Sequence, residues 1–304
     1  MKSLPDGCRY SSLFGSRLWY DAIVETYHLR NPNEDIGLYG LQTPVKRTYS
    51  FLPFSDWYFE VTSPTVIPNL VSWLTHLLSG ANFEARVLVN ESKRTAVSSY
   101  RMKASNPDTR MRMLSKTTRR YTKHSLSNGL TAETVGLSGV DRFYRLHTLT
   151  RKKHGLPVQP KKFFRIIMKT MKHARITICM NDNGHDVGAF LLLADTQTLY
   201  YKYGASNPKY LELRPNHYLF YILHDIAIDN DLKAIDLGRT DEEGLHNYKA
   251  SLGASPFPIL RISSRGVLPD TNRPNSICFL RQVMRALPIQ ILESFGGKIY
   301  KYLA

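Results

Sequence analysis

The 304-residue chain carries 41 Lys and Arg against 25 Asp and Glu, a net charge of +16, and 42% of its residues are hydrophobic. That apolar share suits a folded core and excludes a disordered chain, and the length corresponds to about two domains of ~150 residues or one large one. No run approaches the ~18–20 apolar residues of a membrane-spanning helix, the start MKSLPDGCRY lacks the apolar stretch of a secretory signal, and Cys8, Cys179 and Cys278 form no CxxC or zinc cluster.

A cytoplasmic, metal-free globular protein is therefore expected. Along the chain, residues 15–28 place Leu18, Trp19, Ile23 and Tyr27 at helical spacing behind Ser16 as N-cap. Strand-like stretches follow at IGLYGLQ, TYSFLPFSDWYFEV and ARVLVN, with a helix from Pro68 to Leu78. Residues 107–128 read as a basic helical connector stopped at Asn128-Gly129. Helices are predicted from Asp141 to Lys153, ending at His154-Gly155-Leu156-Pro157, and again after Pro160. ARITICM, the turn Asn181 to Gly184, DVGAFLLLAD and TLYYKYGAS then predict three antiparallel strands. Period two puts Tyr201 and Tyr203 on one face of the last strand, with Lys202 opposite. A helix over 217–229, the strand AIDLGR, a helix over 241–252 and the strand FPILRIS complete the pattern, before two helical stretches divided by Pro288. Three antiparallel strands, a crossover helix and a parallel strand give a seam where strands can splay.

The charge is localised. Arg101 to Arg175 holds 19 Lys and Arg against three acids, so this quarter contains the whole excess. Clustered cations interleaved with Tyr121, Phe143, Tyr144, Phe163 and Phe164 suit a polyanion, either a nucleic acid, a nucleotide-linked substrate or an anionic membrane surface. A solvated basic face is the bland alternative.

This order resembles the GNAT superfamily of N-acyltransferases, and within it the Fem-type branch. The residues that carry the resemblance are Phe143-Tyr144-Arg145-Leu146 through Thr150-Arg151, His154-Gly155-Leu156-Pro157 and Gln159-Pro160. To these are added Tyr200 through Ser206, Arg214-Pro215-Asn216-His217, Asp236-Leu237-Gly238-Arg239-Thr240, Gly244 through Lys249 up to Gly253, and Leu52-Pro53-Phe54-Ser55-Asp56 in the first half. The resemblance implies a mixed α/β (α+β) protein of two GNAT-like domains, each a mostly antiparallel mixed sheet with a splayed seam and flanking helices. Residues 1–128, with the basic connector, would form the acceptor side and 129–304 the catalytic donor side. It also implies an aminoacyl-tRNA donor and an amine acceptor on a peptide or cell-wall-type precursor. CoA-dependent members are expected to carry a glycine-rich phosphate turn after their fourth strand. Here the position reads Asn207-Pro208-Lys209-Tyr210-Leu211-Glu212-Leu213-Arg214-Pro215-Asn216, without glycine.

Amine attack on an ester develops a negative oxygen that a positioned cation stabilises. In the resembled branch an aromatic-Lys pair supplies it, which makes Lys249 and Tyr248 the catalytic candidates. Arg239, beside Gly238, is the leading donor-binding candidate, with Lys202, Tyr203, Arg214, Asn216 and His217. Asp56, Trp57, Arg119, Arg120 and Arg151 are the acceptor-binding candidates, and Asp236 is the candidate base, with His217 and Tyr203 behind it. No HxH or HExxH spacing gathers a metal. Two alternatives stay open: an acyl-CoA-dependent N-acyltransferase of polysaccharide or natural-product biosynthesis, and a non-catalytic protein that binds RNA or a membrane surface. Arg281, Arg285, Lys298 and Lys301 beside Phe295, Ile299 and Tyr302 give the tail the composition for peripheral membrane contact.

Overall fold

The computed structural model describes residues 3–27, 41–42, 49–51, 56–269 and 276–294. Most of IGLYGLQ, residues 52–55 of the Leu-Pro-Phe-Ser-Asp string, and the tail from Phe295 lie outside the described residues. Strand β1 (Cys8–Tyr10) precedes helix α1 (Arg17–Tyr27), which Ser16 caps by accepting from the Trp19 N–H. Its buried stripe is Trp19, Tyr20, Ile23 and Tyr27, while Leu18, expected on that stripe, is exposed. Short strands β2 (Leu41–Gln42), β3 (Tyr49–Ser50) and β4 (Phe59–Val61) follow, then α2 (Ile67–Leu77) with Pro68 in its first turn. Next come β5 (Phe83–Val89) and β6 (Ser98–Lys103).

The basic connector is two helices, α3 (Pro107–Met113) and α4 (Lys116–Ser127), because Asn106 and Ser115 each cap a separate start by accepting a backbone N–H. Strand β7 (Thr131–Val135) leads into α5 (Val140–His154), which ends at Gly155 in the left-handed region with φ 62°. After α6 (Lys161–Thr170) the strands β8 (Arg175–Met180), β9 (Asp186–Ala194) and β10 (Thr198–Ser206) form the expected antiparallel meander. Helix α7 (Pro215–Ile228) crosses to β11 (Ala234–Thr240), parallel to β10. Then come α8 (Glu243–Ser251), β12 (Ser255–Ser263), β13 (Gly266–Leu268) and α9 (Ser276–Ala286); the chain is helical again over 289–294.

One mixed sheet runs β1-β4-β5-β12-β6-β11-β10-β9-β8-β7, with β2, β3 and β13 along its margins. Strand β12 makes it continuous, pairing with β6 over 255–258 and with β5 over 259–263. Helices α1, α5 and α6 bury their apolar stripes on one face, among them Trp19, Phe143, Phe163 and Phe164. Helix α7 covers the opposite face with Leu219, Phe220 and Leu223, and α4 packs on α7. The basic quarter is thus divided between the two faces. No helix among the described residues is long and apolar enough to cross a membrane.

Candidate active site

Strands β10 and β11 pair over only three positions, Thr198–Tyr200 with Ala234–Asp236. Beyond them β10 stays with β9 as far as Ser206, and β11 stays with β6 as far as Thr240, so the two strands part. Each also carries an irregularity at the parting point. In β10 the register shifts between Tyr201 and Tyr203, and in β11 between Asp236 and Arg239.

The β10 bulge corrects the expected facing of its side chains. An extra residue in a strand breaks the alternation locally. Tyr201 packs with Phe190 and Phe220 on the α7 face, whereas Tyr203 packs with His147, Phe163 and Phe164 on the other. Lys202 goes the way of Tyr203, over the rings of Phe14 and Trp19, and its Nζ lies 3.1 Å from Asp56 Oδ2. Two side chains expected on opposite faces therefore share one.

The β11 irregularity is built by Asp236. Its Oδ1 accepts from the Gly238 N–H at 2.7 Å and from Ser99 Oγ at 3.0 Å, and its Oδ2 from Arg101 Nε at 2.8 Å. This side-chain turn lets Gly238 take φ 74°, a left-handed conformation that glycine adopts without penalty. Leu237 and Gly238 are left without partners on β6. Burial raises the Asp236 pKa while Arg101 works against it. With both oxygens engaged, the carboxylate anchors the strand and is not presented as a base.

Lys249, on α8, reaches into the gap. Its Nζ donates to the Gly238 carbonyl at 2.8 Å and to the Arg239 carbonyl at 3.2 Å, and the residue is only 6% exposed. An ammonium has three N–H donors, which leaves one beyond these two bonds. Burial pushes its pKa down to about 8, against the pull of Asp56 and Asp236. Asp56 lies close by, since a Cβ built on Gly238 would stand 3.7 Å from its Oδ2. Burial works to raise the Asp56 pKa, but Lys202, Arg239 and Lys249 prevail and hold it below the usual value. Among the described residues the Arg239 guanidinium makes no hydrogen bond or ion pair. Half-buried Arg86, which sequence reasoning missed inside a strand, adds a further cation beside Arg239 and Asp56. The gap thus gathers Asp56, Lys202, Arg239 and Lys249.

Other candidates fall elsewhere. Tyr248 turns away from Lys249, as neighbours ~100° apart on a helix must; its ring meets His217 and Phe220 and its hydroxyl finds no hydrogen-bond partner among the described residues. Trp57, expected to line a groove, is fully buried and donates to Glu60 Oε1 at 3.0 Å. Arg119, expected to meet phosphates, instead donates to the carbonyls of Met111, Arg112 and Leu114 and closes the end of α3. Arg151 Nε donates to the Pro157 carbonyl. Arg120 and Arg214 lie over Tyr121, whose ring meets His217. Burial lowers the His217 pKa to about 4.

The turn between β10 and α7 engages several of its own donors. The N–H groups of Lys209, Tyr210, Arg214, His217 and Tyr218 are taken by acceptors on Asn207, Leu211 and Arg214, Pro215 has none, and Asn216 Oδ1 accepts from Ser206 Oγ. These five N–H groups are therefore not free to hold a pyrophosphate.

A family description of the GNAT acetyltransferase domain matches residues 109–250. The crystal structure of FemX superposes with a TM-score of 0.59 at 13% identity, over 85% of this chain and 93% of FemX. The C-terminal domain of a putative lysylphosphatidylglycerol synthetase from Agrobacterium fabrum gives a TM-score of 0.52 at 13% identity, over 95% of this chain and 93% of that one. A comparison with curated proteins finds no match. Residues 109–250 thus match the GNAT acetyltransferase domain, and the chain as a whole shares its fold with FemX.

Proposed function

We propose that this N-acyltransferase moves an aminoacyl group from aminoacyl-tRNA to an amine on a peptide or lipid-linked cell-wall precursor. Residues 129–304 would serve the donor and the first 128 residues the acceptor. The observation that carries the reading is Lys249 Nζ, buried and fixed by the Gly238 and Arg239 carbonyls where β10 and β11 part. In the step, a neutral amine attacks the ester carbonyl carbon. The C–N bond forms, the C–O bond breaks, and the ribose hydroxyl leaves with the proton that the nitrogen loses. Negative charge builds on the carbonyl oxygen, and the remaining Lys249 N–H meets it in a site of low dielectric, a contribution of about 3–4 kcal/mol. Asp56, held ionised, accepts a hydrogen bond from the neutral acceptor amine in the gap, and Arg239 takes a phosphate or carboxylate.

The turn before α7 favours the tRNA donor over CoA, because it lacks glycine and five of its N–H groups are already bonded locally. The name of the Agrobacterium fabrum relative adds a lipid headgroup to the acceptors worth testing. The test supplies purified protein with labelled aminoacyl-tRNA or labelled acyl-CoA and scores transfer to precursor amines. Transfer from aminoacyl-tRNA that ribonuclease abolishes supports the reading. Transfer that survives ribonuclease and needs acyl-CoA replaces the donor, and RNA binding without any transfer replaces the enzyme.

A further inference from the structure

Helix α4 presents Lys116, Arg120 and Lys123 on its exposed side and contains no acid. At its centre the Tyr121 ring carries two guanidinia, Arg214 at 4.2 Å and Arg120 at 5.1 Å from the ring centroid. The ring meets His217 in a T-shaped contact at 5.4 Å, and His217 in turn meets Tyr248 at 5.5 Å, the residue next to Lys249. The stack therefore leads from the basic surface of α4 inward to the helix that carries the buried ammonium. Among the described residues, neither Arg120 nor Arg214 makes a side-chain hydrogen bond or an ion pair, and the same holds for Lys116 and Lys123. Glu212 is the one acid between Asp195 and Asp225.

Each guanidinium thus lies on an aromatic ring, which fixes its position, while its N–H donors remain unused. Such an arrangement suits a ligand that combines a planar ring with phosphate. A base stacks on an arginine plane or an aromatic ring with little regard to its identity, and the unused N–H groups take the adjoining phosphate oxygens. In the backbone turn beside the stack the N–H groups of Lys209, Tyr210, Arg214, His217 and Tyr218 are already engaged, so the anion falls to the side chains.

We propose that the Arg120–Tyr121–Arg214 stack is the docking platform for the nucleotide end of the donor, holding an unpaired base and its phosphate. The inference rests on the donor reading above and moves Arg120 from the acceptor to the donor side. The chemistry has two sources, the single-stranded 3′ end of a tRNA and the phosphoadenosine of CoA, and the test separates them.

Binding is read without catalysis, by fluorescence anisotropy of a labelled short single-stranded RNA ending in cytidine-cytidine-adenosine and by calorimetry with CoA. Tyr121→Leu and Arg214→Gln should each weaken RNA binding about tenfold or more. Exposed Arg120→Gln, which spares the core, should lower the slope of log affinity against log salt by about 0.7. Melting temperatures of all three variants show whether they fold. Wild-type binding to CoA alone, lost in the same variants, upholds the platform and removes the tRNA donor. Wild-type RNA binding without transfer upholds the platform and removes the enzymatic reading. Folded variants that bind RNA as tightly as wild type, or a wild type that binds neither probe, overturn the platform.

Discussion

Lys202 Nζ stands 3.1 Å from Asp56 Oδ2, and the two side chains are 6% and 20% exposed. The pair ties the bulge of β10 to the residue before Trp57, so a segment of the first half is fastened at the place where β10 and β11 part. Burial pulls the Lys202 pKa down more strongly than Asp56 raises it, while Asp56 stays below its ordinary value. The acid is the firmly ionised partner, and the buried amine depends on it.

Removing that partner should be expensive. Asp56→Ala leaves an ammonium buried against Phe14 and Trp19 and should cost about 3–5 kcal/mol. Adding Lys202→Met to it should restore much of the loss, because no buried charge remains. Urea unfolding of both variants checks this, and an Asp56→Ala protein as stable as wild type contradicts it. The acid's depressed pKa fixes the pH window. Its contribution is complete above the unfolded carboxylate value of about 4 and disappears as pH falls through the lower folded value.

Lys249 predicts opposite trends for activity and stability. With its pKa lowered from 10.5 to about 8, it is protonated below that pH and loses the proton above it. Transfer that needs the ammonium should decline with unit slope above pH about 8, and Lys249→Met should lower kcat by about a hundredfold to a thousandfold. Between about 8 and the unfolded value of about 10.4 the unfolded chain binds the proton more tightly, so stability rises with pH over that window. A rate profile for wild type that remains flat to pH 10, with urea midpoints that do not rise, contradicts the assignment.

The string Gly244 through Lys249 and the crossover from β10 to β11 were legible in the sequence because they depend on local pattern: helix caps, strand alternation and a hairpin turn at Gly184. What was not legible depends on contacts far apart in the chain. Strand β6 has a polar pattern that reads as loop, and it is a strand only because β11 and β12 pair with it on either side. Alternation put Lys202 opposite Tyr203, and no local signal announces a bulge there. Trp57 and Arg119 were assigned to ligands by residue type, whereas Glu60 and three α3-end carbonyls claim them. Arg86 could have been suspected as a charged residue inside the apolar run ARVLVN.

Gly238 separates strain from site geometry. A Cβ there meets the Tyr201 carbonyl at 3.4 Å and Asp56 Oδ2 at 3.7 Å, both ordinary contacts, so the penalty for Gly238→Ala is mostly its φ of 74°. Stability should fall by about 1–2 kcal/mol. Activity should fall further than that loss explains, because the methyl narrows the space between Asp56 and the carbonyls that hold Lys249. Calorimetric melting and steady-state rates on the same preparation test it; unchanged kcat/KM in a destabilised protein would show that the substrate does not pass Gly238.

Arg101 joins two carboxylates, with Nη2 at 2.9 Å from Glu60 Oε1 and Nε at 2.8 Å from Asp236 Oδ2, and its guanidinium lies over Trp57 and Phe257. Arg101→Met keeps much of the volume and leaves Asp236 with only Ser99 and the Gly238 N–H. The loss should be about 3–5 kcal/mol at neutral pH. Asp236 already has a raised pKa from burial, and without the guanidinium it rises further, so the variant takes up a proton more readily than its unfolded chain does. Its deficit relative to wild type should therefore shrink as pH falls from 7 towards 5. Arg101→Lys, with one point charge in place of a fork, reaches one carboxylate and should fall between the two. Chemical denaturation at pH 7 and pH 5 distinguishes this from a packing effect, since a deficit that stays constant with pH means that the fit of Arg101 between Trp57 and Phe257 matters and its charge does not.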